Sequence, residues 1–203
     1  MYTSIQMSER ARAHLLESAE TKHRVAGECL ESLVNAARLI AESFKAGGKL
    51  LLCGNGGSAA DCQHIAAEFV SILTQDFKRP GLKAIALTTD TSFLTAYAND
   101  FGFEGVFARQ VETLGSPGDT LIGISTSGNS KNVILAVEAA RKINIRTIGF
   151  LGSGGRLPEL VDIAIAVPSK STQHIQEAHI TIGHILCDLV ECCLFDSKYS
   201  NPV

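Results

Sequence analysis

Short apolar runs alternate along the chain with longer stretches of helical periodicity. The first run, Leu50 to Cys53, shows no alternation of apolar and polar residues, which is typical of a parallel strand buried on both faces. Comparable runs follow at 84–87, 120–124, 146–151 and 162–167, each separated from the next by a predicted helix or loop. This alternation predicts an α/β fold: a doubly wound, five-stranded parallel sheet with helices on both faces.

Helical periodicity extends the chain beyond this sheet at both ends. Apolar residues recur at three- and four-residue steps from Ala26 to Phe44, so the N-terminal region is predicted to be helical to about Lys45. A weaker stripe precedes it, and we expect that first helix to pack on another subunit. The final stretch, 172–195, is apolar around most of its circumference, which indicates a buried or interfacial helix. We expect a single domain over 1–203, with N-terminal helices over 1–46 and an α/β core over 47–203.

Composition and charge narrow the class of function. The 203 residues carry a formal net charge of −3 and no basic patch, which argues against binding to nucleic acid or to a membrane. The sequence has no bilayer-spanning stretch and no signal-peptide core, so we expect a cytoplasmic protein. The six cysteines fall inside predicted helices and strands without C-x-x-C spacing. We therefore expect them to be reduced, with no zinc–thiolate site.

A glycine-rich turn, Gly54-Asn55-Gly56-Gly57, ends the first strand, and Ser58 stands where an N-cap would open the next helix. Backbone N–H groups and a helix N-terminus at such a turn can receive an anionic or polyhydroxylated ligand. The spacing matches neither a dinucleotide fingerprint nor a P-loop. The alternative interpretation is a tight structural corner without a ligand.

His64 and Glu68 follow on the helix after this turn at a spacing of i, i+4. That spacing places both side chains on one face, as two metal ligands or an acid/base pair would require. The alternative is an ordinary exposed pair. Small residues around the pair, Ala59, Ala60, Ala66 and Ala67, would leave room for a ligand and favour the functional interpretation.

The third strand runs into Ser125-Thr126-Ser127-Gly128-Asn129-Ser130, immediately before another predicted helix. Four hydroxyl groups, a glycine and a helix N-terminus within six residues predict a site for a phosphate monoester. A second polar cluster, 88–92, ends the 84–87 strand and belongs on the same rim of the sheet. Further on, Asn99-Asp100 precedes Phe101-Gly102, where an Asx turn is the structural alternative to a binding role.

Polar residues interrupt the apolar final helix at Gln176, Glu177, His179, His184 and Asp188. A buried polar group is costly unless it is paired, so each of these residues needs a partner. The default for any one of the histidines is a hydrogen-bonded core residue. Gln176 and His184, two i+4 steps apart, lie roughly on one stripe.

Taken together, the motifs CGNGGSAAD-x-QHIAAE, TTDTS, ANDFGFE, GISTSGNS and IQEAHI-x-x-GHILCDLVE resemble the sugar isomerase (SIS) domain, and within it the phosphoheptose isomerases. The resemblance covers nearly the whole chain from about Lys49. It implies a homotetramer with active sites at subunit interfaces. The implied reaction interconverts sedoheptulose 7-phosphate and D-glycero-D-manno-heptose 7-phosphate for bacterial heptose-containing glycans such as lipopolysaccharide or capsule.

The resemblance also assigns roles residue by residue. Glu68 and His184 fall at the general base and acid of the family. A zinc ion reported for family members would be bound by His64, Glu68, Gln176 and His184. The sugar phosphate would be bound by Asn55, Gly56, Gly57, Glu68, Asn99, Asp100, Ser125, Thr126, Ser127, Ser130 and Gln176.

Two departures from the family pattern concern charge near the site. Ser71-Ile72 stands where relatives usually have Gly-Arg, and Thr172-Gln173-His174 stands where Thr-Ala-Arg is common. Lys78 or Arg79 are candidates to replace the lost cation.

Two alternatives to the enzyme are a non-catalytic tetrameric SIS protein that binds the replication initiator and a SIS module that senses a sugar phosphate. The initiator-binding group shares CDLV-x-x-x-LF with this chain but lacks counterparts of Glu68 and His184, both of which are present here.

Overall fold

The computed structural model describes residues 2–195; Met1 and 196–203, the two limits of the predicted domain, lie outside the described residues. In the described part, no helix is long and apolar enough to cross a bilayer. Short 3₁₀ turns span Phe103–Gly105 and Leu157–Glu159. The helices are α1 Ser4–Glu28, α2 Leu30–Lys45, α3 Gly57–Val70, α4 Thr91–Phe101, α5 Val106–Leu114, α6 Lys131–Lys142 and α7 Thr172–Leu194; the strands are β1 Leu50–Gly54, β2 Ala84–Ala86, β3 Thr120–Ser125, β4 Arg146–Leu151 and β5 Ile163–Ala166.

The five strands form one parallel sheet in the order β2-β1-β3-β4-β5, as the apolar runs predict. Leu52 of β1 pairs with Ala86 on one side and with Ile122 of β3 on the other. The strand order changes direction between β1 and β3, which is the topological switch point where ligands bind in open α/β sheets.

Alternate residues of the strands build two apolar layers. Leu50 and Leu52 lie in a core with α2, α3 and α7 on one face of the sheet, where Phe69 is fully buried. Leu51 and Leu121 lie in the opposite core with α5 and α6. The central strands β1, β3 and β4 are therefore buried on both faces, which explains their unalternating apolar sequences, whereas the edge strands β2 and β5 are partly exposed.

The N-terminal region is helical as predicted, in two helices, α1 and α2, which are divided at Cys29. Helix α2 covers the sheet with Leu33 and Ile40. In contrast, α1 buries only Ser18, Thr21 and Val25. The side chains of Leu15 and Leu16 are 69% and 59% exposed, which suits the expectation that α1 packs on another subunit.

Two local details differ from the sequence predictions. Helix α3 begins at Gly57 with Gly56 as its N-cap at φ +55°, so Ser58 lies inside the helix and is buried. Asn99 and Asp100 occupy the last turn of α4 rather than an Asx turn, and Gly102 ends that helix at φ +88°. A positive φ explains why glycine stands at 56 and at 102.

Candidate functional site

The turn after β1 and the loop after β3 meet at the switch point, as predicted for the carboxyl ends of neighbouring strands. Asn55 Nδ2 donates to Asn132 Oδ1 at 2.9 Å, and Asn132 Nδ2 donates to Asn55 Oδ1 at 2.8 Å. This reciprocal amide pair ties the end of β1 to the first turn of α6. A groove of about 380 Å³ lies alongside and is lined by Asn55, Phe103, Glu104, Ser130, Lys131 and Asn132.

Hydroxyl groups converge in the loop after β3. Ser125 Oγ lies 2.9 Å from Ser130 Oγ and 3.5 Å from Ser127 Oγ, and Ser127 Oγ accepts the amide of Asn129 at 3.2 Å. Ser130 is the N-cap residue of α6, but its side chain makes no capping hydrogen bond. The Val133 amide donates to Asn132 Oδ1 at 3.0 Å, so the amides of Lys131 and Asn132 are the first-turn donors that can meet an anion, together with the positive end of the helix dipole.

Gly128 fixes the shape of this loop. Its φ of +65° lies in the left-handed region, and a Cβ atom there would collide with the carbonyl oxygen of Gly154. The amides of Arg156 and Leu157 both donate to the Gly128 carbonyl at 3.0 Å. The loop is thus held against the 152–157 segment by a close backbone contact that only glycine permits.

Near the C-terminal end of α3, the Glu68 carboxylate lies between the imidazoles of His64 and His184. Its Oε1 is 3.1 Å from His64 Nε2 and 2.7 Å from His184 Nδ1 of α7, and the two rings meet edge to face at 5.1 Å. The Glu68 side chain is 14% exposed, whereas those of His64 and His184 are 52% and 46% exposed. An ionised carboxylate only accepts hydrogen bonds, so each histidine donates to Glu68 from the nitrogen named here.

Arg79 and Glu191, which the sequence analysis did not place together, form a buried ion pair that holds the backbone of Glu68. Arg79 is fully buried; its Nε donates to Glu191 at 2.7 Å, and its Nη2 donates to the backbone carbonyl of Glu68 at 2.9 Å. Arg79 therefore does not present its charge to a substrate, whereas Lys78 is exposed. Burial raises the pKa of the Cys187 thiol, and the adjacent charges of Glu68 and Glu191 raise it further.

Asp61 is a further residue that sequence reasoning missed. Burial raises its pKa, while the neighbouring His64 lowers it, and its Oδ2 is buried without a hydrogen-bond partner in the described part of the chain. The i, i+3, i+7 spacing of Asp61, His64 and Glu68 is the sequence signal that places it on the same face of α3. Lys131 was missed as well; it lines the groove and pairs with Glu104 at 2.9 Å.

The hydroxyl loop and the Glu68 cluster are not adjacent within one chain. Glu68 lies eleven residues beyond Gly57, a rise of about 16 Å along α3, and a helix that follows a strand runs back from the carboxyl edge of the sheet. Gln176 belongs to the Gly57 end, since a Cβ at Gly57 would lie 2.7 Å from Gln176 Nε2. Its role as a ligand beside His184, about 12 Å further along α7, stays a prediction.

Asn99 and Asp100 pair with each other in the last turn of α4. Asn99 Nδ2 donates to Asp100 Oδ1 at 2.8 Å, and among residues 2–195 neither side chain hydrogen-bonds another candidate site residue. His179, by contrast, is the hydrogen-bonded core histidine that the sequence favours. It is fully buried, its Nε2 donates to the Leu151 carbonyl at 3.1 Å, and burial lowers its pKa to about 4.

The donor set of the Glu68 cluster fits a divalent metal ion. One nitrogen each from His64 and His184 and one oxygen of Glu68 lie within 4.8 Å of one another. The second carboxylate oxygen of Glu68 is buried and has no hydrogen-bond partner among the described residues. Two imidazoles and one carboxylate are the ligands that zinc accepts in sites with an open position.

Comparison with known proteins agrees with this geometry. The SIS domain family model matches residues 14–152. The phosphoheptose isomerase of Roseiflexus sp. (strain RS-1) is 57% identical over 180 residues, 88% of this chain and 90% of that protein. The structure of a phosphoheptose isomerase from Neisseria gonorrhoeae matches with a TM-score of 0.86 at 45% identity, covering 92% of this chain and 99% of the other. One from Francisella tularensis matches with a TM-score of 0.88 at 36% identity, covering 94% and 100%. This chain belongs to the SIS domain family and, within it, to the phosphoheptose isomerases.

Proposed function

We propose that this protein is an aldose–ketose isomerase that interconverts sedoheptulose 7-phosphate and D-glycero-D-manno-heptose 7-phosphate in bacterial heptose biosynthesis. The observation that carries the proposal is the Glu68 carboxylate, largely shielded from water and hydrogen-bonded to two histidines, in a chain 57% identical to a named phosphoheptose isomerase. These residues also favour the enzyme over an initiator-binding or sensing SIS protein.

Isomerisation needs two proton transfers, and Glu68 and His184 are suited to divide them. Glu68 takes the proton from the carbon beside the carbonyl and returns it to the neighbouring carbon, with an enediol in between. His184 moves the other proton between the two oxygens. In the structure Nδ1 of His184 is hydrogen-bonded to Glu68; with zinc bound through one ring nitrogen, the other would be the nitrogen that exchanges a proton with the substrate oxygens.

We assign a zinc ion to His64, Glu68 and His184. Gln176, the fourth predicted ligand, lies about 12 Å along α7 from His184 in the same chain, so it would reach this ion only from another subunit. Zinc at this position would polarise the carbonyl of the sugar. The chain's own contribution is to hold the two imidazoles at 3.1 and 2.7 Å from one carboxylate oxygen.

Phosphate binding falls to the loop after β3. Ser125, Thr126, Ser127 and Ser130 offer hydroxyl groups, and the first turn of α6 offers backbone amides to the phosphate dianion. The hydroxyl groups of the sugar are assigned to Asn55, Gly56, Gly57, Asn99, Asp100 and Gln176.

A homotetramer with interfacial sites accounts for the separation of these two parts. About 16 Å of helix rise lies between the Gly57 turn and Glu68, so one sugar phosphate reaches both functions only if subunits combine their parts. The exposed Leu15 and Leu16 of α1 offer apolar surface for that assembly. Light scattering should give the mass of four chains, and a monomer at micromolar concentration would contradict the shared site.

Turnover of sedoheptulose 7-phosphate by Glu68→Gln and His184→Gln tests the chemistry. Each loss should lower kcat by roughly two to four orders of magnitude, while folding, assembly and phosphate competition are retained. Glu42→Gln, an exposed change on α2, is the matched control. Metal content must be measured in each variant, because both residues are also assigned as ligands. Near wild-type turnover by metal-loaded Glu68→Gln would remove Glu68 from the mechanism.

A further inference from the structure

A second group of metal-binding side chains lies where α1 packs against the start of α7. His14 Nε2 is 3.1 Å from Glu177 Oε1, and His14 Nδ1 is 3.4 Å from His174 Nε2. The two imidazoles meet edge to face at 4.6 Å. His174 is only 5% exposed, whereas the side chain of His14 is 47% exposed.

We propose that His14, His174 and Glu177 form a second divalent metal site, which takes zinc or a similar ion and joins α1 to α7. Two nitrogens and one carboxylate oxygen, one from each residue, lie within 4.8 Å of one another. Bonds of about 2.0–2.1 Å in a tetrahedral site place neighbouring ligand atoms roughly 3.3 Å apart. The 3.1 Å between His14 Nε2 and Glu177 Oε1 is close to that value. The 3.4 Å contact to His174 uses the other ring nitrogen, Nδ1, so His14 would have to turn its ring to bind the ion through one nitrogen.

The surroundings suit a metal ion that is bound by α7 on one side and accessible to solvent on the other. His174 and Glu177 are one turn apart on α7 and present a fixed pair of ligands. The half-exposed His14 can turn either ring nitrogen toward them from α1. A groove of about 640 Å³ opens beside His174, between α1 and the loop before α7, and the exposed side of His14 gives the group access to solvent.

This site is separate from the catalytic cluster. Glu177 lies seven residues before His184, about 10 Å along α7. The catalytic ligands come from α3 and α7, whereas this group comes from α1 and α7. A metal ion here would stabilise the packing of α1 on α7. Helix α1 buries only three side chains, and the ion would join His14 to His174, which are 160 residues apart in sequence.

The experiment measures zinc and cobalt bound per chain by the full-length, untagged protein after removal of metal. With both sites filled, the wild type should bind two ions, and His14→Gln and His184→Gln should each bind one. His23→Gln is the matched control, because His23 is another exposed histidine of α1, and it should behave as the wild type. Glu177→Gln should weaken the second ion at least tenfold. If the catalytic cluster binds no metal but the second site does, the wild type and His184→Gln should each bind one ion and His14→Gln none. That result would count against the catalytic zinc and not against this site.

Hydrogen exchange along α1 supplies a readout independent of activity. Zinc should slow amide exchange in α1 at least tenfold in the wild type and in His23→Gln, with no such effect in His14→Gln. The proposal is overturned if His14→Gln and Glu177→Gln bind as much cobalt and zinc as the wild type, or if zinc leaves α1 exchange unchanged.

Discussion

Replacing Arg79 by methionine is predicted to destabilise the protein more than any surface change, because the guanidinium donates to the buried Glu191 carboxylate and to four backbone carbonyls. It donates to Glu191 at 2.7 Å and to the backbone carbonyls of Glu68 and Phe69 at 2.9 Å each. It also donates to the carbonyls of Pro80 at 3.1 Å and Ser71 at 3.2 Å. Arg79 thus caps the C-terminal end of α3, where carbonyls have no partner inside the helix.

Both charged side chains of the Arg79–Glu191 pair are 0% exposed, which sets the scale of the effect. Breaking a buried ion pair on one side typically costs about 3–5 kcal/mol, because the remaining charge stays in the interior. That is a large part of the roughly 5–15 kcal/mol by which proteins are stable. Replacing both partners by apolar residues is much milder, since no charge remains buried. Arg79→Met with Glu191→Leu should therefore be more stable than Arg79→Met alone.

Urea unfolding of the two single variants and the double variant, at one fixed protein concentration, gives the coupling energy of the pair. Arg79→Lys is the conservative control: it keeps the charge but cannot reach Glu191 and four carbonyls at once, so its loss should be intermediate. Because Arg79 holds the Glu68 backbone, kcat of Arg79→Lys should also fall, by up to about a hundredfold for a shift of about 1 Å. A cost below about 1 kcal/mol for Arg79→Met, or strictly additive single changes, would refute this account.

Three further perturbations test other parts of the structure. Ser130→Ala removes the hydroxyl group that lies 2.9 Å from Ser125 Oγ, and it should raise the KM for sugar phosphate about tenfold, a loss of about 1–2 kcal/mol of binding free energy. Ser8→Ala on α1 is the control and should leave KM unchanged. Equal KM values for the two variants would contradict the phosphate assignment. Gly128→Ala should lower the free energy of unfolding by at least about 2 kcal/mol because of its φ of +65° and the Gly154 carbonyl, and an unchanged urea midpoint would disprove that strain. For Asp162, burial alone would raise the pKa, but hydrogen bonds from the Thr147 amide and hydroxyl and the nearby Arg146 lower it overall. Asp162→Asn should therefore lose about 1 kcal/mol at pH 7; the difference from wild type should begin to shrink as the pH falls below about 4, where the unfolded carboxylate is protonated, and should be lost only below the lowered pKa of the folded carboxylate. A difference that stays constant from pH 7 down to acid unfolding would contradict the linkage.

The elements that the sequence predicts best are those with a strong local cause. Each strand is an apolar run bounded by glycine or polar residues, so all five and their parallel pairing could be predicted. The loops after β1 and β3 could be placed together, because topology alone brings the carboxyl ends of neighbouring strands to one edge. Here a local pattern and a general rule of α/β sheets were sufficient.

What could not be predicted depends on contacts between distant parts of the chain. Arg79 and Glu191 are 112 residues apart, and His14 and His174 are 160 apart, so no spacing in the sequence connects them. The prediction that Gln176 and His184 lie together leaves out a distance rather than a contact. Two i+4 steps do keep Gln176 and His184 on one stripe, but they also separate the two by about 12 Å of rise, which a stripe argument leaves out.

The rise of about 16 Å along α3, between Gly57 and Glu68, bears on how the subunits assemble. In one chain, the loop after β3 lies at the carboxyl edge of the sheet, while Glu68 lies two residues before the end of α3. A helix of this length cannot be bent to bring them together without breaking the packing of Phe69 and Ile65 in the core. A second subunit can supply the missing half without any such change. The separation is therefore a reason for oligomerisation, and it predicts that interface changes on α1, such as Leu15→Glu with Leu16→Glu, should dissociate the protein and abolish turnover together while each chain stays folded. A folded monomer that retains full kcat would show that one chain holds the complete site.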